Sequence, residues 1–390
     1  MNPVLSISML VSRNRDTLEK CLQSLQPFFD ELQAELVVVD TGAPKEAIEL
    51  VKKYTDHIVS FAWCNDFSAA RNAGLKVCTG EWFLYVDDDE WFEDVGDLIR
   101  FLKSPDAKRY QRVCYVQRNY SDFSGENYDD VNVERMEKRT GHLHFEHKIH
   151  EELTPVEGDI YYSGAYVHHY GYVYQNEEDR RRHNERNLTL LREECRVYPS
   201  DLRIQLHLLQ ELLIQGMYEE AKEKAQQQLA FALEQADVRA GNFFSWLCEM
   251  YVKCLFLLGQ YDVLFDFADA LQTLPDCACL GKLTGCYYAM LACVNQDQGS
   301  KNYLYADQAY SLQNVLISQP DLLEQQEIQG LRRYTEKECR EVVLQLLSIF
   351  AYQLGKREES LRLINELTFQ YDPYALAHIC QDIKAVLQEN

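Results

Sequence analysis

Asp87-Asp88-Asp89-Glu90 places four carboxylates in succession, directly behind the apolar run Trp82-Phe83-Leu84-Tyr85-Val86. Like charges so close repel unless a cation or hydrogen bonds compensate them. A short aromatic and β-branched run reads as a buried strand, so the acids mark the point where that strand ends. Alternate side chains of an extended chain share a face. That places Asp87 and Asp89 together and Asp88 opposite. Two carboxylates on one face can grip a divalent cation, and Mg²⁺ and Mn²⁺ take oxygen ligands and commonly bridge to phosphates. The expected chemistry is a metal–diphosphate site. The bland alternative is a solvated acidic turn in which Asp88 or Asp89 caps a following helix.

The elements that would position these acids can be read from the pattern before them. Val4–Val11 reads as a first strand, followed by Ser12-Arg13-Asn14 and a helix over 16–29. Leu18, Cys21, Leu22 and Leu25 recur there at helical spacing. Glu35–Val39 is a second strand ending at Asp40-Thr41-Gly42, with a helix over 45–54 behind it. A short third strand spans 56–61, and a third helix starts near Asp66–Ser68, both good caps. Strand–helix alternation implies a parallel sheet with right-handed crossovers. All four strands then deliver their loops to one edge, where open α/β sheets bind ligands. Ser12–Asn14, Asp40–Gly42, Trp63–Asp66 and Asp87–Glu90 should converge there.

These segments in this order carry a resemblance. Val37-Val38-Val39-Asp40-Thr41-Gly42, then Trp63-Cys64-Asn65-Asp66-Phe67-Ser68-Ala69-Ala70-Arg71-Asn72, then Asp87-Asp88-Asp89-Glu90 resemble the family 2 glycosyltransferases of the GT-A (Rossmann-like) fold. The resemblance is strong over 4–105 and fades towards 175. It implies a nucleotide-diphosphate sugar donor, with UDP the expected nucleotide, and Mg²⁺ or Mn²⁺. By the same carry-over, Asp40 would hold the uracil or ribose. Arg71 would contact the donor, and Asp87 and Asp89 would match the acidic pair that meets ribose, sugar and metal. Ser12, Arg13 and Asp88 are placed in the donor pocket. Gly42-Ala43-Pro44-Lys45 departs from the Gly-Ser-x-Asp often found in the family, so no side-chain hydroxyl contact is assigned there.

Further along, 110–119 and 133–139 read as strands around a polar loop, and 161–167 as a last strand. His142, His144, His147 and His150 fall within nine residues. They suggest either a separate metal cluster or the polar face of a half-exposed strand. His150-Glu151 followed by Leu153 resembles a His-Glu step in tetratricopeptide-linked members of the family. An inverting transfer needs a carboxylate to take the acceptor's proton. Glu151 is assigned as that catalytic base, with Glu152 its rival. His169 matches the family's His-x-Gly-Tyr pattern, which implies a metal ligand.

A charge-rich connecting helix is expected over 176–198. From 199 to 390 the pattern is helical. Gly216-Met217-Tyr218, Leu258-Gly259-Gln260-Tyr261 and Leu354-Gly355-Lys356 repeat one turn grammar, which resembles tetratricopeptide repeats. The expected layout is an α/β GT-A nucleotide-sugar domain over 1–175, a helical linker, and an all-α tetratricopeptide-like repeat domain. Such repeats expose grooves that hold peptides, or pair two copies of the chain as a homodimer. The combination resembles bacterial tetratricopeptide glycosyltransferases, and a peptide or protein acceptor is expected from it. A cell-envelope glycan is the alternative acceptor. A catalytically inactive scaffold built on the same fold is the alternative function.

Composition limits the field further. The chain has 390 residues and a formal net charge of −23. That charge disfavours nucleic acid and anionic membrane surfaces as partners. No apolar run reaches the roughly 18 residues of a membrane span. No export signal is read at the start, so a cytoplasmic location with reduced cysteines is expected for the 13 cysteines. Cys277-Ala278-Cys279 lacks the paired spacing of a zinc site. A nucleotidyltransferase would usually carry a glycine-rich loop near the first strand, and none is seen.

Overall fold

The computed structural model describes residues 3–12, 16–174, 176–296, 299–318, 334 and 337–388. Contacts divide the chain into two compact units, Met1–Val197 and Tyr198–Asn390.

The first unit is built on an eight-stranded sheet. Its first half runs β1 (Leu5–Val11), α1 (Asp16–Ser24), α2 (Gln26–Glu31), β2 (Ala34–Asp40), α3 (Lys45–Val51), β3 (Ile58–Ser60), α4 (Phe67–Leu75) and β4 (Trp82–Asp87). These four strands pair in parallel in the order β3-β2-β1-β4. Every residue of β1 is buried, as an inner parallel strand covered on both faces requires. The single helix expected over 16–29 is two helices. Pro27 stands at the start of the second, and proline has no N–H to continue the first.

Beyond β4 the sheet becomes mixed. The chain continues through β5 (Glu90–Phe92), α5 (Gly96–Lys103), β6 (Arg112–Tyr120), β7 (Tyr128–Lys138), β8 (His144–Glu146), β9 (Glu152–Thr154), β10 (Ile160–His169) and α6 (Glu177–Val197). β7 is antiparallel to β4 and to β6, β10 is parallel to β6, and β5 closes the far edge antiparallel to β10. A hairpin, β6–β7, replaces the crossover that parallel pairing needs.

The position of β5 bends the sheet. β4 ends at Asp87 and β5 begins at Glu90, yet β7, β6 and β10 stand between them in the hydrogen-bonded order. Four strand spacings in a flat sheet would separate them by about 19 Å. Three residues of extended chain reach about 11 Å at most. The sheet therefore curls, and the side chains of β4, β5, β6 and β7 face a common interior.

Among the described residues, the second unit consists of helices joined by turns and irregular segments, with no strand. Its hairpins include α7 (Leu202–Ile214) with α8 (Tyr218–Ala232), and α9 (Asn242–Leu257) with α10 (Tyr261–Thr273). A third is formed by helices Lys337–Gln353 and Arg357–Glu366. Each turns at a glycine with positive φ: Gly216 (+73°), Gly259 (+67°) and Gly355 (+75°). In each, the glycine N–H bonds back three residues and the next N–H bonds back five. The second bonds are Met217 to Leu212, Gln260 to Leu255 and Lys356 to Ala351. That is the Schellman arrangement, which satisfies a helix's last carbonyls and favours glycine at the left-handed position. Among the described residues, no helix is long and apolar enough to cross a membrane.

Candidate active site

The strand registers bring the expected loops to one edge. Val11 pairs with Asp40, Leu10 with Asp87, and Asp40 with Ser60. The ends of β1, β2, β3 and β4 are thus level, as the alternation pattern requires. Side-chain alternation, however, stops at Asp87. Asp88 and Asp89 form a tight turn into β5, so the three aspartates point to three different sets of partners.

Asp87 faces the curled interior and is held by two arginines. Its Oδ1 accepts from Arg71 Nη2 at 2.7 Å, and its Oδ2 accepts from Arg135 Nη1 at 2.8 Å. Arg135 also donates to Glu90 Oε1 at 2.9 Å, and Gln117 Nε2 donates to Glu90 Oε2 at 2.9 Å. The Asp87 backbone N–H donates to Glu90 Oε1 at 2.8 Å. Arg71 and Arg135 lie 4.8 Å and 5.1 Å from the centre of the Tyr85 ring. Burial would raise the Asp87 carboxyl, but Arg71 and Arg135 hold it well below the usual carboxylate range. Glu90 moves the other way, because burial outweighs the attraction of Arg135. Burial pushes the Tyr85 hydroxyl up to about 12, so it stays neutral.

The opposite side of Arg71 holds Glu151: Arg71 Nε donates to Glu151 Oε1 at 2.5 Å. The helix behind this contact explains the Asp66–Asn72 run residue by residue. Asp66 caps α4 by accepting from Ala69 N at 2.8 Å. The Phe67 N–H donates to the Lys148 carbonyl at 2.9 Å. The Asn72 amide closes a double hydrogen bond with the backbone of Phe145, at 2.8 Å in each direction. Gly74 lets α4 pack close to β1, since a Cβ there would overlap Ser8 Oγ. One helix therefore holds the 145–151 segment and presents Arg71 to Glu151. Glu152 lies on the exposed side, 3.8 Å from His147 Nε2.

Asp89 adjoins His169 at the end of β10. Asp89 Oδ1 lies 3.7 Å from His169 Nε2. On the far side of the ring, His169 Nδ1 donates to Asn119 Oδ1 at 2.5 Å. An amide oxygen only accepts, so Nδ1 carries a proton and Nε2 is the ring nitrogen that faces Asp89. Gly171 packs closely against the pair. A Cβ added there would overlap His169 Nε2 and lie 3.1 Å from Asp89 Oδ2. One carboxylate and one imidazole whose ring is oriented by Asn119 are donor types that fit Mn²⁺ or Mg²⁺. Asp87, expected as a partner ligand to the same cation, has an arginine on each oxygen instead. Among the described residues no three His, Cys, Asp or Glu side chains gather into a cation site.

The sequence profile described as glycosyl transferase family 2 matches residues 6–170. These residues are a family 2 glycosyltransferase domain. The SPbeta prophage-derived glycosyltransferase SunS of Bacillus subtilis (strain 168) is 25% identical over 206 residues, which is 51% of this chain and 47% of that protein. The chain thus covers about half the length of that relative. A TPR repeat-containing protein of Synechococcus elongatus is 34% identical over 104 residues, 26% of this chain and 25% of that protein. The crystal structure of S. aureus TarS aligns with a TM-score of 0.34 and 14% identity, covering 54% of this chain and 43% of that one. The curled mixed sheet, and the helical unit that follows it in the chain, are the GT-A and tetratricopeptide-like layout expected from the sequence.

The remaining expected residues of the glycosyltransferase domain are placed as follows. Asp40 Oδ1 accepts from the N–H groups of Gly42 and Ala43, at 3.0 and 2.8 Å, which shapes the loop after β2. Asp88 turns away towards β1, where its Oδ2 accepts from the Ser12 N–H at 3.3 Å. Arg13 lies outside the described residues. The histidines over 142–150 do not converge: His144 pairs with Glu146, and His147 with Glu194. A cavity of about 570 Å³ opens between the loop after β3 and α6, and its lining includes Cys64, Asn65, Lys148 and Arg186.

Arg135, Gln117, Asn119 and Gly171 are not assigned to the site from the sequence, and Glu90 is read there only as the last of the four acids. Arg135 is one charge in the alternating run of β7, and nothing local distinguishes it from a solvated arginine. Gly171 had a signal: it follows His169 within the family's His-x-Gly-Tyr pattern.

Proposed function

We propose that the chain is an inverting, metal-dependent glycosyltransferase that moves a sugar from a UDP-sugar to a peptide or protein side chain. The observation that carries this reading is Arg71, which joins Glu151 to Asp87 beside the Asp89–His169 pair, inside a family 2 domain. Glu151 is the base. Its Oε1 is engaged by Arg71, and among the described residues no hydrogen bond reaches Oε2. Oε2 takes the acceptor's proton while the acceptor atom bonds to sugar C1 from the face opposite the diphosphate. The C1–O bond breaks and its electron pair leaves with UDP. The Arg71 guanidinium holds Glu151 in place. A divalent cation at Asp89 and His169 would neutralise charge on the departing diphosphate. Asp40, at the end of β2, would recognise the uridine. The acceptor reading rests on the tetratricopeptide-like unit, since stacked helical hairpins offer grooves suited to peptides.

A thermal-shift screen of UDP-, GDP- and dTDP-sugars with and without Mn²⁺ tests the donor. Specific binding raises the melting temperature by mass action. UDP-sugars should give the largest shift, and Asp89→Ala should remove its Mn²⁺-dependent part. A GDP-sugar giving the largest shift would overturn the nucleotide assignment.

A further inference from the structure

We propose that Glu194 of α6, through His147, is a positioning residue for Glu151, with Lys148–Glu193 as its outer support. This rests on the reading of Glu151 as the base.

The segment carrying Glu151 is held from two sides. On one side is α4, through the Phe67 N–H, the Asn72 amide and the Arg71 guanidinium. On the other is α6. His147 Nδ1 lies 3.0 Å from Glu194 Oε2, and both side chains are only 3% exposed. Lys148 Nζ lies 3.0 Å from Glu193 Oε2 at the half-exposed rim of the same contact. Consecutive residues of the segment thus meet consecutive residues of the helix.

The backbone gives an independent reason for this grip. His147 and His150 have φ of +67° and +50°, left-handed values that non-glycine residues adopt at a cost. The surrounding contacts must hold such a segment in place. Glu151 follows His150 directly, so release of the His147 contact would let the segment relax and withdraw the carboxylate from Arg71. A buried carboxylate paired with a buried imidazole is a strong tether, because neither partner can be left alone without a desolvation cost. The helix after β10 is then a working part of the glycosyltransferase domain, beyond its role as a link to the repeats. This accounts for the first compact unit extending to Val197.

Turnover of UDP-glucose with Mn²⁺, read as UDP release in the full chain, tests the proposal together with amide hydrogen exchange. Glu194→Leu should lower kcat on the order of 10- to 100-fold, as expected for a displaced catalytic group, with the donor KM unchanged. Exchange should rise over 145–153 and stay at the native level over 82–92. Glu194→Gln keeps an acceptor for Nδ1–H and should restore most of kcat. A folded Glu194→Leu variant with native kcat, or one whose donor affinity falls as much as its kcat, overturns the proposal. If Glu194→Leu does not fold, Lys148→Met decides the matter: a several-fold loss of kcat at unchanged KM is expected, and native kcat overturns it. Glu151→Gln separates the two readings. If that variant retains native kcat, the base assignment fails; if it is inactive while Glu194→Leu is not, only the positioning proposal fails.

Discussion

Arg71 Nη2 donates to Asp87 Oδ1 at 2.7 Å, tying the middle of α4 to the end of β4. Both ends of this bond are also committed elsewhere, Arg71 to Glu151 and Asp87 to Arg135. Removing one member strands the others in a region of low exposure. Arg71→Met should therefore cost about 3–5 kcal/mol of stability, the scale of breaking a buried pair from one side. Urea unfolding of the native and variant chains measures it. A cost below about 1 kcal/mol would mean that solvent replaces the guanidinium.

The same pair sets an acid dependence. Although burial opposes it, Arg71 and Arg135 depress the Asp87 carboxyl in the folded chain. A depressed carboxyl adds stability above its unfolded value of about 3.9 and loses that contribution as pH falls towards its folded value. The stability gap between the native chain and Asp87→Asn should be constant above about pH 5 and narrow on acidification. Urea midpoints at a series of pH values test this, and a gap that widens on acidification contradicts it.

Gly171 offers a probe of the cation site that leaves both ligands in place. The nearest atoms a Cβ at this position would meet are the side-chain ends of His169 and Asp89. Gly171→Ala should keep the native fold in the absence of metal. It should lose the Mn²⁺-dependent rise in melting temperature seen with a UDP-sugar. An unchanged Mn²⁺ shift would place the cation elsewhere.

The repeated helix turns predict a backbone effect free of packing. A Cβ added at Gly259 or Gly355 meets nothing within 4 Å, so only the left-handed φ opposes it. Gly259→Ala and Gly355→Ala should each cost about 1–2 kcal/mol. Thermal unfolding of the two variants checks this. Equal, small effects at both sites would support the shared turn, and no effect would dismiss it.

Much of this protein was already legible in its sequence. Local pattern determined β1 to β4, the Asp66 cap, the level strand ends and the three glycine turns. Each of those depends on residues a few positions apart, on side-chain period, or on a glycine's access to positive φ. Pattern also pointed to Asp87, Asp89, Glu151 and His169 as residues of interest. It did not determine which of them face one another. Strand pairing and the curl of the sheet decided that: β7 pairs directly with β4, and the curl brings β5 round to the same interior. There Arg135 takes the carboxylate oxygen that alternation had assigned to a cation. The tight turn at Asp88 and Asp89 decided that Asp89 should meet His169, eighty residues later in the chain. Partners so distant are chosen by register and curvature, which no short stretch of sequence contains.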